Sequence, residues 1–500
     1  MANPILPGIE HIVVLMFENR SFDNMLGGLY PQLSQSGKYL GLTGTETNPL
    51  YPGSSDLIQV WQGGVDVDTM IMPYPDPGEL FTDMNQQIFA SETETDTATM
   101  QGFVWNYMRQ PPSPDYVYPV AENIMQYYAP GASGNIPITS LLAQAYAVSD
   151  FWHASGPVQT LANRIFAHCA TPSKYKSKDG NWYAVLNNPD ITSQHLDPDG
   201  SVTDTSIFEL LDDGGQSWKV YFHDWPLSAL VKYVDDNWGI GGNVLPFQSD
   251  LLHDFYEDVQ KDTLPAYSFI EPRYTDYFWG TASSNHPGGS TVSGKPPAIS
   301  VCNGEQLLQA VYTALYNGPN NMFGKTLLIV TYDEHGGLFD HIPPPAAASP
   351  FETGEVTGFD YTRYGVRVPA LFIHPYIQRN QQGNDLGIFR PPQGTVFDHT
   401  SLISTLIAQF GLAGPLTMRD YTAPTLAGLI DPTQPVNSFS PSDLPDINTC
   451  PPPPVAQPAS TAAATTPQEP PPHTLAAVIK QAVSAPKNRE RVRAMLTPKI

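Results

Sequence analysis

Three continuous apolar runs limit the folds open to this 500-residue chain more than any other feature. They are Ile-Val-Val-Leu-Met-Phe at 12–17, Thr-Leu-Leu-Ile-Val-Thr-Tyr at 326–332 and Val-Pro-Ala-Leu-Phe-Ile at 368–373. A strand with one wet face alternates apolar and polar residues, whereas a strand covered on both faces is apolar throughout. The runs therefore predict strands of a mainly parallel central sheet.

Helical patterns lie between these runs. They cover 138–147, 303–316 and 400–410. In the second, Asn303 is placed to cap the helix, and the leucines share one stripe. Strands that alternate with helices predict an α/β fold with helices flanking the sheet. The Tyr/Pro/Gly-rich stretches 50–120 and 175–300 are predicted to be long insertions that form the walls of a cleft.

Composition divides the chain into one large domain and a tail. Residues 1–440 show no repeat and no break, so they are predicted to form the domain. Residues 441–473 hold eleven of the 51 prolines, which is typical of an extended linker. Residues 474–500 carry six Lys/Arg against one Glu. This basic tail is predicted to be either a solvated segment or a short helix that folds back onto the acidic body.

Charge narrows the possible partners. Lys and Arg number 24 against 49 Asp and Glu, a net charge of −25 that repels nucleic acid at long range. An anionic substrate would need a local positive centre, such as a metal ion. Three cysteines without a CxxC motif predict neither a disulfide framework nor thiol chemistry.

Targeting signals are not evident in the sequence. No window approaches 18 consecutive apolar residues, so no transmembrane helix is predicted. The N-terminal residues lack a basic region followed by an apolar core, so no Sec-type signal is predicted. Secretion by another route and a cytoplasmic location both stay open.

Polar side chains directly follow two of the apolar runs. Glu18 and Asn19 come after the first run, and Asp333 and Glu334 come after the second. Because the carboxyl ends of parallel strands meet at one edge of a sheet, these four side chains should converge. Adjacent carboxylates repel each other unless a cation neutralises them, and carboxylate and amide oxygens suit a hard or borderline metal. Two such pairs favour a metal site over turn or capping residues.

A threonine supplies a third candidate. A Gly156-Pro157 turn leads to Thr160, and the residues that follow are helical in pattern. A helix N-terminus favours a phosphoryl group, and a hydroxyl there that is also bound to a metal can attack phosphorus. Alone, Thr160 would be interpreted as an ordinary N-cap residue.

Four motifs together resemble a known family. They are Glu18-Asn19-Arg20-Ser21-Phe22-Asp23, Gly156-Pro157 with Thr160-x-x-Asn163-Arg164, Thr331-Tyr332-Asp333-Glu334-His335-Gly336-Gly337 and Asp398-His399-Thr400-Ser401. In this order they resemble the bacterial and plant phospholipase C / acid phosphatase phosphoesterase family, of the alkaline-phosphatase-like superfamily. The similarity spans about residues 8–430.

The resemblance implies roles for individual residues. It implies that Glu18, Asn19, Asp333 and Glu334 bind the metal and that Thr160 is the nucleophile. Threonine at this position goes with the phospholipase C branch of the family, and serine with the acid phosphatases. The spacing departs from the commoner Gly-Pro-Thr, because two residues separate Pro157 from Thr160. Ser155 therefore stays a lesser candidate.

Further residues are candidates for contact with the phosphate. Asn285-His286-Pro287 resembles the family's His-Pro loop, and His335 follows the acidic pair. Either ring could hydrogen-bond a phosphoryl oxygen or protonate the leaving alkoxide. The remaining candidates for phosphate or substrate binding are Asn163, Arg164, Asp398 and, more weakly, His399. Arg164 could instead pair with neighbouring carboxylates.

The residues predict a metal-dependent phosphoesterase, and the resemblance implies a phospholipase C that hydrolyses a phosphatidylcholine-like lipid through a phosphothreonine intermediate. A broad phosphomonoesterase and an inactive binding or effector module are the alternatives. The divalent metal could be calcium, manganese, magnesium or zinc, and peripheral contact with a membrane is compatible with the substrate. Aromatic faces attract a quaternary ammonium. The candidates for that contact are Trp61, Trp105, Tyr107, Tyr274, Tyr277 and Trp279.

Overall fold

The computed structural model describes residues 4–63, 74–95, 97–112, 118–192, 201–238, 242–246, 253–275, 282–287, 301–377, 387–433, 436–447, 475–484 and 488. The strands are β1 His11–Phe17, β2 Thr47–Pro49, β3 Leu57–Gln59, β4 Trp61–Gln62, β5 Gln126–Tyr127, β6 Ala147–Val148, β7 Lys174–Lys176, β8 Trp182–Ala184, β9 Trp218–Phe222, β10 Val244–Pro246, β11 Tyr267–Glu271, β12 Thr326–Tyr332 and β13 Ala370–Ile373. The helices are α1 Phe22–Leu26, α2 Pro31–Gln35, α3 Phe81–Phe89, α4 Phe103–Met108, α5 Ala121–Ile124, α6 Pro137–Ala145, α7 Thr160–Cys169, α8 Asn188–Thr192, α9 Ile207–Asp213, α10 Lys232–Asp236, α11 His253–Gln260, α12 Val301–Tyr316, α13 Met322–Lys325, α14 Thr400–Phe410, α15 Met418–Thr422 and α16 Leu475–Ser484.

A seven-stranded sheet in the order β10-β9-β11-β1-β12-β13-β6 forms the centre of the molecule. The five strands from β10 to β12 pair in parallel, and β13 pairs antiparallel to both β12 and β6. Every residue of β12 is buried, as is every residue of β1 except His11. The prediction of an α/β fold with a mainly parallel central sheet is confirmed.

Helices cover the sheet, and a second, smaller apolar cluster attaches one insertion to the body. The main core joins the strands to α6, α7, α12 and α14. A second cluster of buried apolar residues joins α3 and α4, from the stretch 50–120 predicted as an insertion, to α5 and to residues 338, 339 and 366. This insertion also includes residues 74–80, which enter the candidate site described below.

The predicted elements differ from the observed ones mainly at their ends. The helix predicted at 303–316 begins at Val301, so Asn303 lies inside it and is not its N-cap. The Asn303 amide instead donates to the Ala282 carbonyl (3.2 Å). The strand predicted at 368–373 begins at Ala370, because Pro369 has no N–H to donate to a ladder. The helix predicted at 400–410 has those bounds.

The C-terminal helix and the cysteines complete the fold. Three apolar residues of α16 are buried in the main core, and the helix packs against α8. Cys302 is disulfide-bonded, a single cross-link that the sequence analysis did not predict, and Cys169 is a buried thiol. Across the described residues, no helix combines the length and hydropathy of a membrane span.

Candidate active site

The register of two strands brings the predicted acidic pairs together. Phe17 of β1 is level with Tyr332 of β12, so Glu18 and Asp333 leave the sheet side by side. Backbone hydrogen bonds continue past the strand ends. The Asp333 N–H donates to the Phe17 carbonyl (3.2 Å), and the Arg20 N–H donates to the Glu334 carbonyl (2.9 Å). The parallel sheet therefore places both acidic pairs at one edge, as predicted.

Asn19 is held in a tight turn at the end of β1. Its φ of +56° lies in the left-handed region, and its N–H donates to Oδ1 of Asp333 (3.0 Å). Gly336 packs against this turn so closely that a Cβ there would overlap the Asn19 carbonyl. Because Gly336 also has a positive φ (+63°), the position requires glycine twice over. Gly336, in the motif that contains Asp333 and Glu334, thus packs against the turn of the motif that contains Glu18 and Asn19.

Thr160 begins α7 and faces the asparagine. It is buried, and its hydroxyl donates to Oδ1 of Asn19 (3.3 Å). The helix N-terminus is partly occupied, because the Leu161 N–H donates to Oδ1 of Asn188 (3.1 Å). A hydroxyl, an amide oxygen and the acidic side chains are therefore close together.

Two residues near Thr160 shape its loop. Oδ1 of Asn163 accepts from the Gly156 N–H (3.0 Å), and its Nδ2 donates to the Val158 carbonyl (2.7 Å). Asn163 thus holds the turn before Thr160. The Ser155 hydroxyl is buried and donates to Oδ2 of Asp398 (2.8 Å), so this lesser nucleophile candidate points to a different carboxylate.

Arg164 ties α7 to the ends of both central strands. Its Nε donates to Oδ2 of Asp333 (2.9 Å), and its Nη2 donates to the carbonyls of Met16 (3.3 Å) and Phe17 (3.1 Å). Its guanidinium also lies 4.9 Å from the ring centroid of Tyr274. Two roles were predicted for Arg164, phosphate binding and pairing with neighbouring carboxylates. These contacts match the second role.

Several buried oxygens of the acidic side chains lack a hydrogen-bond partner among the described residues. Within the described part of the chain, neither carboxylate oxygen of Glu18 has a hydrogen-bond partner, and Oε1 of Glu334 has none. Burial raises the pKa of Glu18 well above its usual value, and the nearby Asp333 carboxylate raises it further. The pKa of Glu334 is raised by burial and by Glu79. Buried carboxylates with free lone pairs are what a bound cation needs, so the residues fit a metal.

A further group of ligand-type side chains adjoins this cluster. One ligand atom from each of Asp76, Glu79 and His286 lies within 4.8 Å of the others. The Asn19 amide nitrogen donates to Oε1 of Glu79 (2.5 Å) and faces Nε2 of His286 (3.0 Å). Burial raises the pKa of Glu79 to about 8 and lowers that of His286 to about 4.

Sequence reasoning predicted His286 and missed Asp76 and Glu79. These two acids follow no apolar run. They flank the Pro77-Gly78 dipeptide inside the stretch interpreted as a cleft wall. The spacing of two acids around this dipeptide was the available signal.

The two other histidines contact different partners. Nε2 of His335 donates to Oε1 of Gln87 (2.8 Å), and burial lowers the pKa of this ring to about 3. His335 reaches the acidic cluster only through Nδ1, 3.6 Å from Oε2 of Glu334. Nε2 of His399 donates to the Asp333 carbonyl (2.7 Å). His399 therefore braces the end of β12.

Asp398 is engaged in a buried network behind the Thr160 loop. Its Oδ2 accepts from Ser155 and from Nε of Arg419 (3.3 Å), and its Oδ1 accepts from the Thr400 hydroxyl (2.5 Å). These bonds leave Asp398 in contact with the loop that carries Thr160. The contacts are those of a positioning residue.

The aromatic candidates fall into two groups. Tyr107 and Tyr274 are buried, and their hydroxyls donate to the Pro75 carbonyl (3.1 Å) and Oε2 of Glu271 (2.7 Å). Trp61 is 36% exposed. The Arg109 guanidinium lies over the Trp105 ring, 4.8 Å from the ring centroid. The remaining candidates, Tyr277 and Trp279, lie outside the described residues.

Comparison with known proteins identifies the family of the chain. The model of the phosphoesterase family matches residues 9–413. Non-specific phospholipases C3 and C6 of Arabidopsis thaliana are 31% and 30% identical to the chain, over 88% of it and 76% and 75% of their own lengths. Phospholipase C A of Mycobacterium tuberculosis is 26% identical over 87% of the chain and 80% of its own length.

Solved structures were compared as well. A protein in the alkaline phosphatase superfamily from Vibrio parahaemolyticus has 14% identity and a TM-score of 0.33, over 58% of this chain and 64% of its own. The family match, which covers most of the chain, and the relatives that are 30% identical or more decide the assignment. The chain belongs to the phosphoesterase family and is a phosphoric ester hydrolase.

Proposed function

We propose that the chain is a metal-dependent phospholipase C that acts on a phosphatidylcholine-like glycerophospholipid. Its products would be diacylglycerol and the phosphorylated headgroup. The observation that carries the proposal is the contact of the Thr160 hydroxyl with Asn19, beside the carboxylates of Glu18, Asp333 and Glu334. A nucleophile next to a cation site is the arrangement that phosphoryl transfer needs.

Five residues would hold the metal: Glu18, Asn19, Asp333, Glu334 and Thr160. The unpartnered oxygens of Glu18 and Glu334 support this assignment. Oδ1 of Asp333 accepts from the N–H groups of Asn19 and Glu334, whereas Oδ2 accepts only from Nε of Arg164 and so keeps a lone pair for a cation. When bound, a divalent cation supplies electrostatic stabilisation of the phosphoryl oxygens and favours the ionised form of a hydroxyl.

The side chains of this site would carry out the remaining chemistry. Oγ1 of Thr160 loses its proton and attacks phosphorus, the bond from phosphorus to the glycerol oxygen breaks, and that oxygen takes up a proton to give diacylglycerol. Water then cleaves the phosphothreonine ester, which releases the phosphorylated headgroup and restores the Thr160 hydroxyl. The Arg164–Asp333 ion pair holds α7 at the strand ends, so it supports the position of Thr160 at the start of that helix.

The substrate class can be tested with two substrates. Purified protein supplied with Mn²⁺ is assayed against phosphatidylcholine in mixed micelles and against a simple aryl phosphate monoester. We expect kcat/KM for the lipid to exceed that for the monoester. A higher kcat/KM for the monoester would instead identify a broad phosphomonoesterase on the same scaffold.

The nucleophile can be tested with two matched variants. We expect Thr160→Ala to lower kcat by at least about 10³-fold while leaving the circular dichroism spectrum unchanged, because the attacking oxygen is lost. Ser155→Ala removes a buried hydroxyl from the same loop and should keep kcat within about tenfold of the wild type. Acid quenching during turnover of phosphatidylcholine should trap the phosphorylated headgroup on Thr160. The reverse result, with the phosphorylated headgroup on Ser155, would refute the assignment.

A further inference from the structure

Exposed apolar side chains lie on the insertion that carries Asp76 and Glu79. Leu57 of β3 is 55% exposed, while the next residue, Ile58, packs against the second apolar cluster. Tyr118, near the start of α5, is 65% exposed. Five of these side chains form what we call the apolar patch: Tyr51, Leu57, Trp61, Tyr118 and Val120.

Backbone contacts bring the residues of the apolar patch together. A hydrogen bond closes the loop between β2 and β3, and Tyr51 and Leu57 directly follow its donor and its acceptor. The Trp61 indole N–H donates to the Glu122 carbonyl of α5 (2.8 Å), two residues after Val120. β3 also contacts α5. The hairpin and the start of α5 therefore present one apolar surface, and such surfaces commonly mark interaction sites in monomeric proteins.

The same insertion also reaches the candidate site. Gln87 of α3 donates to the Gly78 carbonyl (2.7 Å), next to Glu79, and accepts from Nε2 of His335 (2.8 Å). The second apolar cluster, against which Ile58 packs, joins this helix to α4 and α5. The apolar patch and the candidate site are therefore connected through one packed insertion.

Charge around the apolar patch restricts its partner. Between Lys38 and Arg164 the sequence holds thirteen Asp and Glu and, apart from Arg109, no Lys or Arg. Arg109 itself pairs with Glu92 (Nη1 to Oε1, 2.5 Å). An anionic bilayer would be repelled, and so would a second copy of this chain, whose net charge is −25. A phosphatidylcholine surface is zwitterionic and carries a quaternary ammonium outermost, which carboxylates and aromatic faces attract.

We propose that the apolar patch docks the protein on a zwitterionic, choline-bearing lipid surface. Leu57 and Val120 enter the apolar layer below the headgroups. The three aromatic side chains lie at the level of the headgroups, where tyrosine and tryptophan are favoured. The proposal rests on the proposed function, because that function makes the lipid the partner. It adds the face by which the enzyme meets that lipid.

Vesicle sedimentation tests the docking surface. Full-length protein with Thr160→Ala, which keeps the lipid intact, is mixed at low ionic strength with sucrose-loaded phosphatidylcholine vesicles, and the bound fraction is measured after centrifugation. We expect Leu57→Gln combined with Tyr118→Gln to lower the partition coefficient at least about tenfold, because two apolar side chains no longer leave water. Vesicles of equal parts phosphatidylcholine and phosphatidylglycerol should bind the protein more weakly than phosphatidylcholine alone, since the patch is bordered by acids.

A matched pair of exposed residues provides the control. Met418 and Tyr421 of α15 are 55% and 67% exposed, close to the values of the two patch residues. α15 lies at the C-terminal end of α7, where the Thr417 hydroxyl donates to the Ala170 carbonyl (2.9 Å). Met418→Gln combined with Tyr421→Gln should keep the partition coefficient within about twofold of the parent protein.

Activity separates docking from chemistry. In the enzyme that retains Thr160, the patch variant should lose kcat/KM on phosphatidylcholine vesicles but keep it on monomeric dihexanoylphosphatidylcholine, which presents no surface. Equal partition of all three proteins, stronger binding to the mixed vesicles, or a dimer that only the patch variant dissociates would overturn the docking surface. Patch-dependent binding to vesicles without hydrolysis of either lipid would uphold the docking surface and refute the proposed substrate.

Discussion

Both ends of the Asn19 side chain are in use, and this explains why an amide occupies the position. Oδ1 accepts from Thr160, while Nδ2 donates to Glu79 and to His286. An aspartate would keep the first contact but would place a carboxylate against Glu79. The amide therefore separates the two acidic groups without adding charge. This single residue therefore contacts the proposed nucleophile at one end and Glu79 at the other.

Gly336 offers the sharpest test of that arrangement at the residue scale. In Gly336→Ala the new Cβ would overlap the Asn19 carbonyl, so the Asn19 turn must shift. We expect kcat/KM to fall at least about tenfold, because displacement of a positioning group is costly in catalysis. Steady-state kinetics measure the change in kcat/KM, and urea unfolding measures the change in the free energy of unfolding.

Gly411→Ala is the matched control for backbone strain. Gly411 has nearly the same φ (+66° against +63°), but no atom lies within 4 Å of its would-be Cβ. It should lose about 1 kcal/mol of unfolding free energy and keep its kcat/KM. Equal kinetic losses in both variants would show that contact with Asn19 is not the cause.

At the scale of elements, a buried carboxylate joins two helices. Glu305 of α12 accepts from the N–H groups of Ile138 (2.6 Å) and Thr139 (3.0 Å) and from the Thr139 hydroxyl. It therefore caps the N-terminus of α6 from a neighbouring helix. Burial is the larger effect, however, and raises the pKa of Glu305 to about 7.

This shifted pKa predicts a pH dependence of stability. The unfolded carboxyl has a pKa near 4.5, so the folded state binds more protons between pH 4.5 and 7. The contribution of Glu305 is therefore fully present below pH 4.5 and is lost as the pH rises through 7. We expect Glu305→Gln to remove this loss, which amounts to about 3 kcal/mol. Urea unfolding of both proteins at pH 5 and pH 8 gives the difference.

Other buried groups titrate in both proteins, so only the difference between them reports on Glu305. A parallel pH dependence of the wild type and Glu305→Gln would contradict the raised pKa. The comparison needs no activity measurement. It is therefore independent of the proposed metal site.

The sequence predicted best those strands that are buried on both faces along almost their whole length. β1 and β12 are covered on both faces, so their apolar runs also indicated where Glu18 and Asp333 would meet. Helix starts were less certain, because Asn303 is a good cap by type but lies inside α12. Asp76 and Glu79 reach the site through an irregular segment, for which neither a period of 2 nor one of 3.6 gives a signal.

At the scale of the whole molecule, the C-terminal helix α16 contacts α8, and α8 in turn contacts the start of α7, where Thr160 lies. Leu475, Val478 and Ile479 share one face of α16 and are buried in the main core. This helix packs against α8, where Asn188 accepts from the Leu161 N–H and donates its own N–H to Gln159. A segment predicted to be either solvated or a short helix thus packs, as α16, against the helix next to the one that carries Thr160.

Truncation of one buried side chain measures how firmly this helix is attached. Ile479 is fully buried, so Ile479→Ala should lower the free energy of unfolding by about 2–4 kcal/mol. Gln481→Ala changes an exposed position of the same helix and should leave the urea midpoint unchanged. If both variants unfold at the wild-type midpoint, α16 does not contribute to the stability of the body in solution. If only Ile479→Ala shifts, residues after the proline-rich stretch belong to the catalytic domain, and a protein truncated before Leu475 would expose the core behind α8.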